Sequence, residues 1–136
     1  MQVMIADDDA ITRTVLRTIL LDAGHTVCAE ADSGMAVLDQ CSRNQLDVLF
    51  LDIHMPAMNG FEVLQQLRSV HPDLHVIMIS ASSTLENVRT AAKFGVNGFV
   101  VKPLKRCSRV RLRALNRYPH FRHYAPVWLN ALAPAI

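Results

Sequence analysis

Six side chains in this sequence have types and spacing that suit one piece of chemistry. Asp7, Asp8 and Asp9 run consecutively near the start. Asp52 and Ser80 each end an apolar run, and Lys102 follows another. Carboxylates crowded together repel one another unless a hard cation lies between them. Oxygen-only donors without His or Cys favour Mg²⁺, with Mn²⁺ as a substitute. A carboxylate is also a nucleophile toward phosphorus and yields an acyl phosphate. A cation and a lysine ammonium would offset the charge on a phosphoryl group in transit. Ser80 can donate a hydrogen bond to a phosphoryl oxygen. Taken singly, each acid or serine also suits a helix N-cap or a strand end, where Asp and Ser are frequent. Asp9 suits a cap of the first helix and not a metal ligand.

For these residues to meet, the chain must bring several strand ends together, and its patterning does so. Val3–Ala6, Thr26–Ala29, Val48–Leu51, Val76–Ile79 and Phe99–Val101 are short apolar runs. Between them lie helical repeats: Ile11, Val15, Leu16, Ile19, Leu20 and Ala23; Ala36, Val37, Leu38 and Cys41; Phe61, Val63, Leu64, Leu67 and Val70; Leu85, Val88, Ala91 and Ala92. Gly24 and Gly95 close the first and fourth helices, Ser33 caps the second, and Ser82 or Ser83 caps the fourth. Alternating strand and helix with short connections predicts a doubly wound α/β fold. The expected form is a (βα)5 three-layer sandwich around a parallel sheet of order 2-1-3-4-5. Ligands in such folds sit beyond the C-terminal strand ends, where Asp7, Asp8, Asp52, Ser80 and Lys102 fall.

Composition bounds the rest. The 136 residues are 51% hydrophobic and 19% charged, which argues against disorder and for one domain. No apolar run approaches the roughly 18 residues of a membrane span. The N-terminal residues have no basic region and meet acid at Asp7, unlike a signal peptide. Cys28, Cys41 and Cys107 are odd in number and lack ligand spacing, so reduced core thiols in a cytoplasmic protein are expected. A disulfide scaffold and a zinc module are excluded. Charge is uneven: up to Glu86 there are twelve acids against four basic residues, net −8, and beyond it ten basic residues and no acid, +10.

The segments Ala6–Asp9, Leu51–Glu62 (LDIHMPAMNGFE), Ile79–Ala81 and Phe99–Pro103 (FVVKP) together resemble the response-regulator receiver domain of two-component signalling. The likeness covers about residues 1–104. It implies that Asp52 accepts a phosphoryl group from a sensor histidine kinase or phosphotransfer protein. It implies Mg²⁺ held directly by Asp8 and Asp52, through water by Asp7, and by the backbone carbonyl of His54. Lys102 and Ser80 would contact the phosphoryl group. Phe99 takes the place of the family's switch aromatic, and the Lys102–Pro103 peptide is cis in the family. The activity implied is that of a phosphoacceptor with autophosphatase side activity, not an enzyme acting on a separate substrate. Phosphorylation adds roughly −1.5 to −2 charges. It would shift the population of a surface made by the fourth helix, fifth strand and fifth helix, toward an output partner or a second copy.

The pattern departs after Pro103. Arg109, Arg111 and Arg113 alternate with Val110, Leu112 and Ala114, a period that suits a strand as well as the expected fifth helix. The receiver domain is expected over 1–117. Residues 118–136 form an atypical tail with Tyr118, Phe121, Tyr124, Trp128, Leu129 and Leu132. That tail suits a dock on the domain, on a second protomer or on a partner, or an altered chain end without a role. No membrane and no nucleic-acid partner are expected. Two other functions stay open. One is an aspartate-nucleophile phosphatase of haloacid-dehalogenase type, with Asp7 attacking and Asp9 as acid. The other is a DNA-binding regulator acting through the basic C-terminal end.

Overall fold

Residues 1–82 and 84–104 are described by a computed structural model. The expected fifth helix, the domain limit at 117 and the tail 118–136 lie outside them, as do Cys107 and Ser83. Nine elements follow in order: β1 (Gln2–Ala6), α1 (Ala10–Asp22), β2 (Thr26–Ala31), α2 (Gly34–Arg43), β3 (Val48–Asp52), α3 (Gly60–Val70), β4 (His75–Ser80), α4 (Leu85–Lys93) and β5 (Gly98–Val101). The sheet is parallel throughout, in the order β2-β1-β3-β4-β5. This is the doubly wound α/β fold that the patterning predicts.

The order creates a switch point. From β1 the chain crosses to β2 on one side and then to β3 on the other. The crevice beyond β1 and β3 is where such folds bind ligands. Ala6 pairs with Leu51, and Asp52 pairs with Ile79, so the residues after β1 and at the end of β3 share one edge.

Strand patterning explains the layers. Every residue of β3 is buried, as a strand covered on both faces requires. Met4, Leu49, Leu51, Val76, Met78 and Phe99 join Val37, Cys41, Val63, Leu64, Leu67, Val88 and Ala91 in one core. Val3, Ile5, Phe50, Ile77, Ile79 and Val100 join Leu16 and Leu20 of α1 in the other. The helices run from 9 to 13 residues, too short to persist alone in water. Burial of side chains such as Leu20 and Leu64, worth roughly 1.5–3 kcal/mol each, holds them in place.

Caps set the helix starts. Asp9 accepts from the amides of Ile11 and Thr12, and Ser33 accepts from Ala36. Asn59 and Glu62 form a capping box at α3, which periodicity alone does not show. Gly24 and Gly95 have φ of 82° and 66° just past α1 and α4, the left-handed setting of a helix end.

Three expectations need correction. The cap of α4 is Thr84, whose hydroxyl accepts from Asn87, not Ser82. The Ser82 amide instead donates to Ser80 Oγ at 3.0 Å. Ile11 belongs to no core face and is 74% exposed. Cys28 is exposed on the edge strand β2, whereas Cys41 is buried and its thiol is pushed up to about 11 by burial.

Candidate functional site

Among the described residues, the buried polar or charged ones are Asp7, Asp52 and Ser80. All three lie at the C-terminal edge of the sheet, and each ends or follows a strand. Burying a carboxylate is expensive unless it is paired. Lys102, after β5, supplies the pairing. Its Nζ stands 2.8 Å from Asp7 Oδ2 and 3.3 Å from Asp52 Oδ2.

The connections aim these groups. The Lys102 amide donates to Ser80 O at 2.8 Å, which carries the β4–β5 pairing one residue past the strand. The Lys102–Pro103 peptide is cis. Ile53 N donates to Ile79 O at 3.0 Å, and Gly60 N returns to Ile53 O at 2.8 Å, so the loop after Asp52 folds back on β3. Within it, Met58 N donates to Pro56 O at 2.7 Å around Ala57, whose φ is 65°. That three-residue turn with a non-glycine in the left-handed region is uncommon.

Electrostatics follow from the crowding. Burial, reinforced by the Asp7 charge, holds the Asp52 carboxyl above its ordinary range, and Lys102 offsets only part of this. Burial pulls the Lys102 ammonium down. Hydrogen bonding to Asp7 and the charges of Asp52 and Asp7 outweigh it, so the lysine lies above its ordinary value. Lysine therefore stays charged and both carboxylates stay attracted to it.

The donor set also fits a divalent cation. One carboxylate oxygen each from Asp7, Asp8 and Asp52 lie within 4.8 Å of one another. Asp7 Oδ2 is buried, and the Lys102 ammonium at 2.8 Å is the cation beside it. Such an oxygen has a lone pair to offer. Three carboxylates without imidazole or thiolate suit Mg²⁺. Asp8 is exposed, which leaves the cluster open to water on that side.

The expected residues are therefore brought together in large part. Asp7, Asp8, Asp52 and Lys102 converge, and Ser80 is fully buried at the adjoining strand end. Phe99 is 4% exposed and packs in the core shared with α3 and α4. The His54 residue is exposed. Asp9 stands outside the cluster and spends its carboxylate on the α1 cap, accepting also from Thr12 Oγ1 at 2.6 Å. Two residues escape a reading by type and spacing. Arg13 Nη1 donates to the Asp7 carbonyl at 2.7 Å, and Gly60 lies flat against the Asp52 backbone. An arginine on the second turn of a helix carries no sequence signal of such a contact.

Comparison with known proteins agrees with this fold. Residues 3–112 match the family described as the response regulator receiver domain. Among curated relatives, the chemotaxis protein CheY of Pseudomonas aeruginosa is 36% identical over 105 residues, covering 76% of this chain and 85% of that protein. CheY of Thermotoga maritima is 34% identical over 116 residues, covering 85% of this chain and 95% of that one. Among solved structures, the CheX–CheY–BeF3–Mg²⁺ complex of Borrelia burgdorferi has a chain that superposes with a TM-score of 0.75 at 29% identity. That superposition covers 86% of this chain and 85% of the other. No helix among the described residues is long and apolar enough to cross a membrane. With the family match spanning most of the sequence and the relatives nearly whole, this chain belongs to the response regulator receiver family of two-component signalling.

Proposed function

We propose that this receiver domain takes a phosphoryl group onto Asp52 from the phosphohistidine of a sensor histidine kinase or phosphotransfer protein. One observation carries the reading. A buried carboxylate, 2% exposed, has one oxygen 3.3 Å from an ammonium and offers an oxygen within 4.8 Å of those of two further carboxylates. In the transfer, an Asp52 oxygen forms a bond to phosphorus. The phosphorus–nitrogen bond to the donor imidazole breaks, and its electron pair returns to the ring. Lys102 faces the charge on the transferred oxygens. Asp8 and Asp52 would hold Mg²⁺ or Mn²⁺, with Asp7 beside them and the His54 carbonyl as a further donor. When bound, the cation adds positive charge at the phosphoryl oxygens.

The response is a change of surface. Ser80, drawn toward the phosphoryl group, moves the connection to α4, and Phe99 repacks behind it. Both ends of that connection support the role. The Ser80 hydroxyl accepts from Ser82, and α4 is anchored by only Val88 and Ala91 among its buried residues. Leu85 on α4 is 60% exposed and Val101 on β5 is 36% exposed. They contribute to a face for an output partner or a second copy of the chain. Small, exposed Ala81 after Ser80 would leave the acyl phosphate open to water, which supports self-hydrolysis.

A phosphatase built on Asp7 and Asp9 has less support. Asp9 is committed to its cap, and Asp7 Oδ1 already accepts from the Asp9 amide at 2.9 Å. The DNA-binding reading rests on residues beyond Leu104, outside those described. Labelling with acetyl phosphate and Mg²⁺, borohydride trapping and mass mapping test the assignment. Modification at Asp52, absent in Asp52→Asn, is expected. Modification at Asp7 overturns it.

A further inference from the structure

Consecutive residues of an extended strand point to opposite faces. Asp7 and Asp8 directly follow β1, yet both place a carboxylate oxygen in one cluster with Asp52. The peptide joining them must therefore leave the strand's alternation. The Asp7 amide still donates to Ala31 O at 3.0 Å, so the ladder reaches that atom. Past it the chain turns, and the Asp9 amide donates back to Asp7 Oδ1 at 2.9 Å. The carbonyl of the turned peptide, Asp7 O, takes its hydrogen bond from Arg13 Nη1 at 2.7 Å.

Arg13 is itself held from a third element. Its Nε lies 3.4 Å from Glu30 Oε2 on β2, and the other Glu30 oxygen accepts from Arg17 Nε. Glu30 pairs with Ile5 across the β1–β2 ladder, two residues before Asp7. The guanidinium thus ties α1 and the edge strand to the one peptide whose setting decides where two carboxylates point. A planar guanidinium suits this bridging better than an ammonium, because its donors lie in a fixed fork.

Resting on the phosphoacceptor reading above, we infer that Arg13, braced by Glu30, is a positioning residue. Its bond to the Asp7 carbonyl fixes the turned Asp7–Asp8 peptide and so aims both carboxylates at one divalent cation. Arg13 touches neither cation nor phosphoryl group. Groups that orient metal ligands from behind commonly change affinity by about 10–100-fold when removed.

The test measures Mg²⁺ affinity of the full chain by titration calorimetry, and the Mg²⁺ dependence of acetyl-phosphate labelling. In Arg13→Ala the dissociation constant should rise about 10-fold. The Mg²⁺ concentration for half-maximal labelling should rise in parallel, with the rate at saturating Mg²⁺ unchanged. Arg13→Lys keeps one donor and should recover part of the loss. Thr14→Ala, on the next and exposed position, should match the unaltered protein. Unchanged affinity in Arg13→Ala overturns the inference while leaving the phosphoacceptor reading intact. An unaltered protein that binds no Mg²⁺ overturns both. Should Arg13→Ala not fold, Arg13→Lys and Glu30→Gln decide: weakened Mg²⁺ binding in both supports the inference, and unaltered binding in either overturns it.

Discussion

A methyl group added at Gly60 would stand 2.3 Å from the carbonyl oxygen of Asp52 and 3.0 Å from Ile53 Cα. Both neighbours are backbone, and Gly60 N is bonded to Ile53 O, so neither can step aside. Gly60→Ala should therefore push the Asp52 loop outward. Overpacking of this kind destabilises by about 1–3 kcal/mol. Urea unfolding should show that loss, and acetyl-phosphate labelling of Asp52 should slow. Unchanged stability together with unchanged labelling would mean that the loop yields without consequence.

The surroundings of Asp52 oppose its charge. Burial, then the Asp7 charge, raise its pKa in the folded chain, so the folded state holds this proton more tightly than the unfolded state does. The stability tied to that proton is present below the unfolded pKa and is lost as pH rises through the folded one. At neutral pH without Mg²⁺ the carboxylate is thus a destabilising group. Asp52→Asn removes the charge and leaves Lys102 its contact with Asp7. The variant should be more stable by about 1 kcal/mol at pH 7. Thermal unfolding in a chelating buffer should show the gain shrink toward acid pH. A variant less stable than the parent at pH 7 would contradict this account.

Much of the architecture is legible in the sequence because it rests on local periodicity. Val48–Leu51 reads as a fully covered strand, and Gly24 and Gly95 mark helix ends that indeed carry positive φ. The strand ends then deliver Asp7, Asp52, Ser80 and Lys102 to one edge without further information. What escapes depends on three-dimensional proximity. Thr84, not Ser82, directly precedes α4 and caps it, while the Ser82 amide bonds Ser80 Oγ. Ile11 fits the helical repeat of α1 yet stays exposed, because periodicity does not say which helix positions the sheet covers. Arg13 and Gly60 act through backbone atoms of other residues, and a one-dimensional pattern of side-chain types does not register such contacts.

Acid should loosen the edge of the sheet in a defined window. The hydrogen bond from Arg17, with the charges of Arg17 and Arg13, outweighs burial and holds the Glu30 carboxyl below its ordinary value of 4.5. A depressed carboxylate contributes stability that is present above the unfolded pKa and lost as pH falls through the folded one. Arg17 is 41% exposed, so solvent screens the pair and its contribution is small. Glu30→Gln should lower the melting temperature slightly at neutral pH. The difference from the parent should narrow as pH falls below 4.5. Parallel curves through that range would show that Glu30 titrates alike in both states.

Arg68 is predicted to hold α4 from its far end. Its Nε donates to Phe94 O at 3.1 Å and its Nη2 to Gly95 O at 3.0 Å, both just past α4. Its Nη1 donates to Leu74 O at 2.7 Å and Pro72 O at 3.3 Å in the α3–β4 connection. One guanidinium thus joins α3 to the end of the helix whose start follows Ser80. Burial lowers its pKa and the Asp73 charge opposes this. Hydrogen bonds to a charged donor are worth about 1.5–3 kcal/mol, and their loss leaves several carbonyls to water. Arg68→Met keeps most of the stem's packing and removes the donors. Stability should fall by about 1.5–3 kcal/mol. Hydrogen exchange should quicken in 85–98 well before it does in β1 and β3. Since α4 buries little else, slack at this end should also blunt any movement that begins at Ser80, so the beryllofluoride-induced change in exchange across α4 should shrink. Exchange that rises evenly over the whole sheet would show that Arg68 stabilises the fold without anchoring α4.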